Sequence, residues 1–143
     1  MPGSDGPAFV DTNVLVYALE MGHSARKTAA QSLVERLLDQ DLLRLSTQVL
    51  QELFVTLTRK GLRPCSPDEA LAHLENLAAW PVFVVDYPAI NEAARLSRDA
   101  RLSFWDALVV VSAARSGASQ LYTADLNDGQ TILGVEVVNP FIR

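Results

Sequence analysis

Four carboxylates stand where an α/β chain can bring them together. Asp11 directly follows the apolar pair Phe9-Val10, and Asp125 opens the turn after the strand-like run Gln120-Leu121-Tyr122-Thr123, one residue past its end. Asp106 falls in the first turn of a helix opened by Ser103, and Glu52 lies one turn into a helix that begins at Ser46 or Thr47. In a parallel sheet, strand ends that feed helices face one edge, so these acids should share one rim of the molecule. Carboxylates crowded within about 4–6 Å repel and raise one another's pKa values, a conflict that a divalent cation removes. No histidine or cysteine cluster accompanies them, and an oxygen-only set suits Mg²⁺ or Mn²⁺ rather than zinc. Such an ion takes few protein carboxylates, keeps waters and shares substrate phosphate, which describes a phosphodiester-cleaving centre. We therefore expect Asp11, Glu52, Asp106 and Asp125 to be catalytic, with Asp11, Asp106 and Asp125 as metal ligands.

Each acid also has an ordinary explanation. Aspartate between strand and helix is a favoured N-cap, which would account for Asp11. Ser103-Phe104-Trp105-Asp106 fits the capping-box pattern with Asp for the usual Glu. Asp125 and Asp128 suit a polar turn, and Glu52 lies off the apolar stripe of its helix. Thr12, Asn13, Thr123, Asn127 and Asp128 are read as groups that orient carboxylates or water, with plain turn chemistry as the alternative. The functional reading rests on the acids taken jointly.

The elements that must position them follow from periodicity. Ser24 caps a helix to about Gln40, with Ala30, Leu33, Val34, Leu37 and Leu38 at core spacing. Leu43 to Leu45 is a strand. The helix after Ser46 buries Val49, Leu50, Leu53, Phe54 and Leu57, while Gln48, Glu52 and Thr56 share another side, and Gly61 and Pro64 close it. Ser66-Pro67-Asp68-Glu69 starts a helix that runs to Trp80. Val82 to Val85 is continuously apolar, as a strand covered on both faces would be. Pro88 opens a helix to about Arg98, with Ile90, Ala93, Ala94 and Leu96 inward. The helix from Ser103 is apolar nearly all round and should be central. Val135 to Val138 is the last strand. Alternating strands and helices point to one parallel-sheet α/β domain.

Length and composition agree. The chain has 143 residues, 49% of them hydrophobic, and a net charge of −5 from 17 acidic and 12 basic side chains. It is long enough for one stable core. The acidic balance does not announce a nucleic-acid binder, so any phosphate contacts must come from locally grouped bases. Arg26, Lys27, Arg59, Lys60, Arg63, Arg98 and Arg101 are the candidates, most of them read first as solvated helix faces, and the sequence does not show which share a side with the acids. Cys65 is the sole cysteine, which excludes an internal disulfide and points to a reducing compartment. Residues 1–7 lack the features of a signal peptide and are expected to be a flexible segment before a domain spanning 8–143. No stretch is long enough to span a membrane, and the expected location is cytoplasmic.

Taken in order, Asp11-Thr12-Asn13-Val14, Gln51-Glu52-Leu53, Ser103-Phe104-Trp105-Asp106-Ala107 and Thr123-Ala124-Asp125-Leu126-Asn127-Asp128-Gly129 resemble the motifs of PIN domains, in particular the VapC-type toxins of bacterial toxin–antitoxin pairs. The resemblance covers about Ala8 to Phe141. It implies a PIN-like three-layer α/β/α fold with a central parallel β-sheet flanked by helices, and a Mg²⁺- or Mn²⁺-dependent endoribonuclease. It also implies an RNA substrate, a homodimer and a cognate antitoxin. Asp11, Glu52, Asp106 and Asp125 match the family's acidic quartet, and Thr123 its hydroxyl beside the first aspartate. Apolar stripes near Ala29 to Leu38, Leu50 to Leu57 and Leu71 to Leu77 could serve as partner surfaces.

Three rivals remain on the residues alone. A PIN-like module could hold RNA or protein without cutting. A haloacid-dehalogenase-type phosphatase wants a second aspartate two positions after the first, where this chain has Asn13. A DNA nuclease could use the same metal chemistry, because the acids do not sense a 2′-hydroxyl. Trp105 beside Asp106 could stack on a base or pack at its helix start, Trp80 is expected in the core, and His23 reads as a surface histidine.

Overall fold

The computed structural model describes residues 6–19, 22–59 and 65–142. Its strands are β1 (Ala8–Val10), β2 (Leu43–Ser46), β3 (Val82–Phe83), β4 (Gln120–Tyr122), β5 (Thr131–Ile132) and β6 (Val135–Val138). The helices are α1 (Thr12–Leu19), α2 (Ala25–Asp39), α3 (Thr47–Thr58), α4 (Pro67–Leu77), α5 (Tyr87–Ala100) and α6 (Phe104–Arg115). The strands form one sheet in the order β3-β2-β1-β4-β6-β5. Every neighbouring pair is parallel except β5 with β6. The fold is thus a central, mostly parallel sheet flanked by helices, as expected.

Local chemistry explains the element starts. The Ser24, Ser46, Ser66 and Ser103 hydroxyls each accept a backbone N–H from the first turn of the following helix. Ser66 and Glu69 complete a reciprocal capping box. Phe9, Val10, Leu43, Leu45, Leu121 and Val137 from the inner strands are fully buried against Val14, Leu37, Val49, Leu53 and Val110 from the helices. Helix α6 buries every residue from Ala107 to Ala113, which explains its lack of a polar side. A smaller core joins it to α5 through Ala89, Ala93, Leu108 and Val111.

Several expectations are corrected. Val82 to Val85 is not a strand covered on both faces: β3 stops at Phe83 and lies at the sheet edge, and Val84 is 67% exposed. An apolar run of that length cannot by itself distinguish an edge from a centre. Helix α4 ends at Leu77, and a turn held by Trp80 N–H on Leu77 O carries the chain to Pro81. Asp86, not Pro88, opens α5 by accepting Ala89 N–H at 3.0 Å. Ile90 and Ala94 face outward on that helix, and Ala89 and Ala93 face α6. The short strand β5 was not foreseen; it folds back on β6 through Leu133 and Gly134, both at positive φ. Trp80 packs against the main core, half-buried. Gly61, Arg63, Pro64 and Lys60 lie outside the described residues.

Candidate active site

Sheet register brings Asp11 to its partner. Val10 pairs with Tyr122, so the next residues, Asp11 and Thr123, emerge side by side from adjacent strands. The ladder reaches them too: Asp11 N–H donates to Tyr122 O at 3.0 Å, and Thr123 N–H donates to Val138 O at 3.1 Å. The Thr123 hydroxyl then donates to Asp11 Oδ2 at 2.9 Å, and Thr12 N–H donates to Asp11 Oδ1 at 2.7 Å. A conventional N-cap accepts from the second or third helical N–H. Asp11 takes the first one and extends its other oxygen across the sheet, so capping does not account for it. Its residue is only 5% exposed. Burial pushes the Asp11 carboxyl up to about 6, against the lowering effect of Thr123 and Thr12 and with a further rise from Asp125 and Glu52.

Asn13 ties this carboxylate to the next. Its Nδ2 donates to Asp125 Oδ2 at 3.0 Å and, at longer range, to Asp11 Oδ2 and Thr123 Oγ1, both at 3.4 Å. Its Oδ1 accepts Ala124 N–H at 3.1 Å, and Asp125 N–H donates to Thr123 Oγ1 at 3.1 Å. The loop carrying Asp125 is therefore fixed to the β1–α1 turn. On the other side, the Thr12 hydroxyl donates to Glu52 Oε1 at 3.0 Å. Gln48 Nε2 reaches Glu52 Oε2 and Trp105 O, each at 3.4 Å, which links α3 to the start of α6.

Asp106 is held more simply: its N–H donates to Ser103 Oγ at 3.1 Å. Burial raises its pKa, the Ser103 hydroxyl opposes that rise, and Asp125 adds to it. Asp125 therefore lies within electrostatic reach of both Asp11 and Asp106. Asp128 Oδ1 accepts Asn139 N–H at 2.8 Å, bracing its own loop. The Asn127 side chain makes no hydrogen bond to the acids among the described residues.

A cavity of about 650 Å³ opens over Asp11, Asn13, Glu52 and Asp125 and continues along α1 and α3 past Val16, Tyr17 and Val55 to Arg59. Asp106 stands outside it, beside a smaller cavity of about 280 Å³ walled by Phe104 and Trp105. Trp105 is 61% exposed and meets Phe104 edge-on at 5.1 Å, so it is not a core residue.

The donor chemistry fits a hard cation. All donors are oxygens, the most buried carboxylate has no cationic side chain bonded to it, and two further acids raise its pKa. Among the described residues, no three Asp, Glu, His or Cys side chains stand close enough to form a ready-made metal cage. Mg²⁺ does not require one, since it commonly uses one or two carboxylates with waters and substrate phosphate. Sequence reasoning missed the floor formed by Val16 and Tyr17. It also gave Gln48 no role, although its spacing four residues before Glu52 was visible.

An α/β domain with acids gathered where parallel strands hand over to helices defines the class, and the chain belongs to the PIN domain family, whose match spans residues 8–127. The chain is 34% identical over 119 residues to ribonuclease VapC23 of Mycobacterium tuberculosis, an alignment covering 82% of this chain and 91% of that protein. Among solved structures it resembles a toxin–antitoxin complex from Klebsiella pneumoniae (TM-score 0.67, 19% identity, covering 93% of this chain and 97% of the other). It also resembles Mycobacterium tuberculosis VapC20, a sarcin–ricin-loop-cleaving toxin (TM-score 0.63, 24% identity, covering 82% and 89%). VapBC2 from Rickettsia felis, bound to a promoter DNA fragment, is a further neighbour (TM-score 0.65, 15% identity, covering 91% and 96%).

Proposed function

We propose that this chain is a Mg²⁺- or Mn²⁺-dependent endoribonuclease and the toxin of a type II toxin–antitoxin pair. The observation that carries this reading is the buried Asp11 carboxylate, oriented by Thr123 and Thr12 and coupled to Asp125 and Glu52 at one end of an open cavity. The kinship with ribonuclease VapC23 supports RNA as the substrate. Asp11, Asp125 and Asp106 would hold the cation, which supplies charge neutralisation on the phosphate and lowers the pKa of an attacking water.

The chain's own groups do the arranging. Thr123 and Thr12 N–H fix the plane of the Asp11 carboxylate. Asn13 keeps Asp125 beside it. Thr12 and Gln48 orient Glu52, which takes the proton from the attacking water as general base. Thr12, Asn13 and Thr123 thus position the acids; Asp128 holds the loop that carries Asp125, and Asn127 is assigned to that same loop.

The structural neighbours support a cognate antitoxin as partner, and we propose with it a homodimer acting in the cytoplasm. Val55 and Leu71, 56% and 48% exposed, leave apolar surface on α3 and α4 for a partner helix. An antitoxin covering Val55 would also close the acidic cavity, which Val55 lines. Among the described residues no helix is long and apolar enough to cross a membrane.

The test is cleavage of a labelled single-stranded RNA by the purified chain in Mg²⁺ or Mn²⁺, with EDTA and Asp11→Asn as controls. Cleavage by the wild type alone, and only with metal, supports the reading. Equal RNA binding by both proteins with no cleavage by either would leave a binding module instead.

A further inference from the structure

The cavity over the acids has two unlike ends. Asp11, Glu52 and Asp125 lie at one, and at the other Arg59 is the sole basic residue among those that line it. Glu52 lies within α3, and Arg59 is the extended residue that ends it, seven positions later, so the two line the same cavity from places roughly 10 Å apart along the helix. Val16, Tyr17 and Val55 give the rest of the wall a mainly apolar surface, with Gln51 and Thr56 beside them.

Arg59 is also unlike most of its peers. Arg36 bonds the Tyr122 hydroxyl, Arg44 backbone carbonyls, Arg95 Asn91, Arg98 Asp99 and Arg115 Glu92. Arg26 lies over the rings of Tyr17 and Phe141. Of the arginines described, only Arg59 and Arg101 have no partner among the described residues, and of the two only Arg59 lines the cavity. A guanidinium presents a planar fork of donors that matches a phosphate, and one left unpaired at the end of a groove is available for it.

We infer that Arg59 is a phosphate anchor, holding a phosphate that flanks the scissile one while the intervening nucleoside rests on Val16, Tyr17 and Val55. This rests on the ribonuclease reading above. Arg59 has no hydrogen bond to the acids and stands at the end of α3, so its assigned role is to hold substrate position and not to act on the reacting atoms.

The experiment measures binding without cleavage. The full chain carrying Asp11→Asn is titrated with a fluorescein-labelled single-stranded RNA in Mg²⁺ over a range of KCl, alone and with Arg59→Gln, Arg59→Lys or Arg101→Gln added. Loss of one phosphate contact should weaken binding about tenfold and reduce the slope of log K against log salt by about 0.7. Arg59→Gln should do both, Arg59→Lys should keep the slope, and Arg101→Gln should change neither. In the Asp11-intact chain, Arg59→Gln should raise KM and leave kcat unchanged. Unchanged affinity and slope in Arg59→Gln would overturn the proposal, as would equal losses in Arg59→Gln and Arg101→Gln. Retained RNA binding with weakened capture of an acidic protein partner would also overturn it. A chain that binds RNA with the expected Arg59 dependence but never cuts would sink the nuclease reading and not the anchor.

Discussion

Asp11 and Asp106 are both aspartates at the start of a helix, and each has a capping explanation in the sequence. The structure separates them. Asp106 is partly buried, and its one local tie is to Ser103, three residues back on the same helix start. Asp11 is 5% exposed and is tied to Thr12 on its own chain, to Thr123 on the neighbouring strand and, through Asn13, to Asp125. One side chain satisfies its own element; the other joins elements 112 residues apart in sequence. A helix cap needs only the first kind of contact. A carboxylate held from several directions, in surroundings that resist its charge, indicates that the charge is kept for something else.

The comparison can be broken most directly at Asp11. Asp11→Asn keeps the shape and removes the charge, and single-turnover cleavage of single-stranded RNA should fall by at least about 10³-fold, equivalent to roughly 4 kcal/mol. Residual activity above that level would return Asp11 to the status of a cap.

The next effect is on stability, and its sign follows from the raised pKa. Burial pushes the native Asp11 carboxyl up to about 6, from the ordinary 3.8. Between those values the native state holds the proton more tightly than the unfolded chain does. In metal-free protein, stability should therefore fall as pH rises from about 4 to above 6, by up to about 3 kcal/mol, and stay level beyond. Asp11→Asn should lack that fall and equal or exceed the wild type near pH 7.5, as urea melts in EDTA would show. Asp106→Asn should reproduce little of this. If both variants behave alike, the contrast between the two aspartates fails.

Smaller effects sharpen the picture. Thr123→Val removes the hydroxyl from Asp11 Oδ2 and should cost about 10–100-fold in Mn²⁺ affinity by calorimetry. Ser103→Ala removes the cap of α6 and should cost about 1 kcal/mol in denaturant unfolding.

Much of this was legible in the chain. The four serine caps, the all-apolar α6 and the parallel sheet follow from patterns that local chemistry enforces. The pairing of Asp11 with Thr123 came from the resemblance to PIN domains; each directly follows a strand, and only the adjacency of those two strands makes them neighbours. Strand adjacency is a tertiary fact, and so is edge position, which is why Val82 to Val85 read as a centre strand. Two-residue β5 carries too little sequence to show a period. Gln48 sits on the polar side of α3 by spacing yet is buried, because α6 covers that side at Trp105. Arg59 was one of seven candidate cations with no mark of distinction; among those described, its place on the cavity singles it out.

Crystals of the chain grown or soaked with Mn²⁺, with anomalous diffraction collected at the manganese edge, test the central claim most directly. The account predicts a peak bonded to Asp11 and Asp125, with Asp106 within reach directly or through one water. An RNA-cleaving, manganese-loaded protein with no peak at those carboxylates, or with its metal held elsewhere, would contradict it.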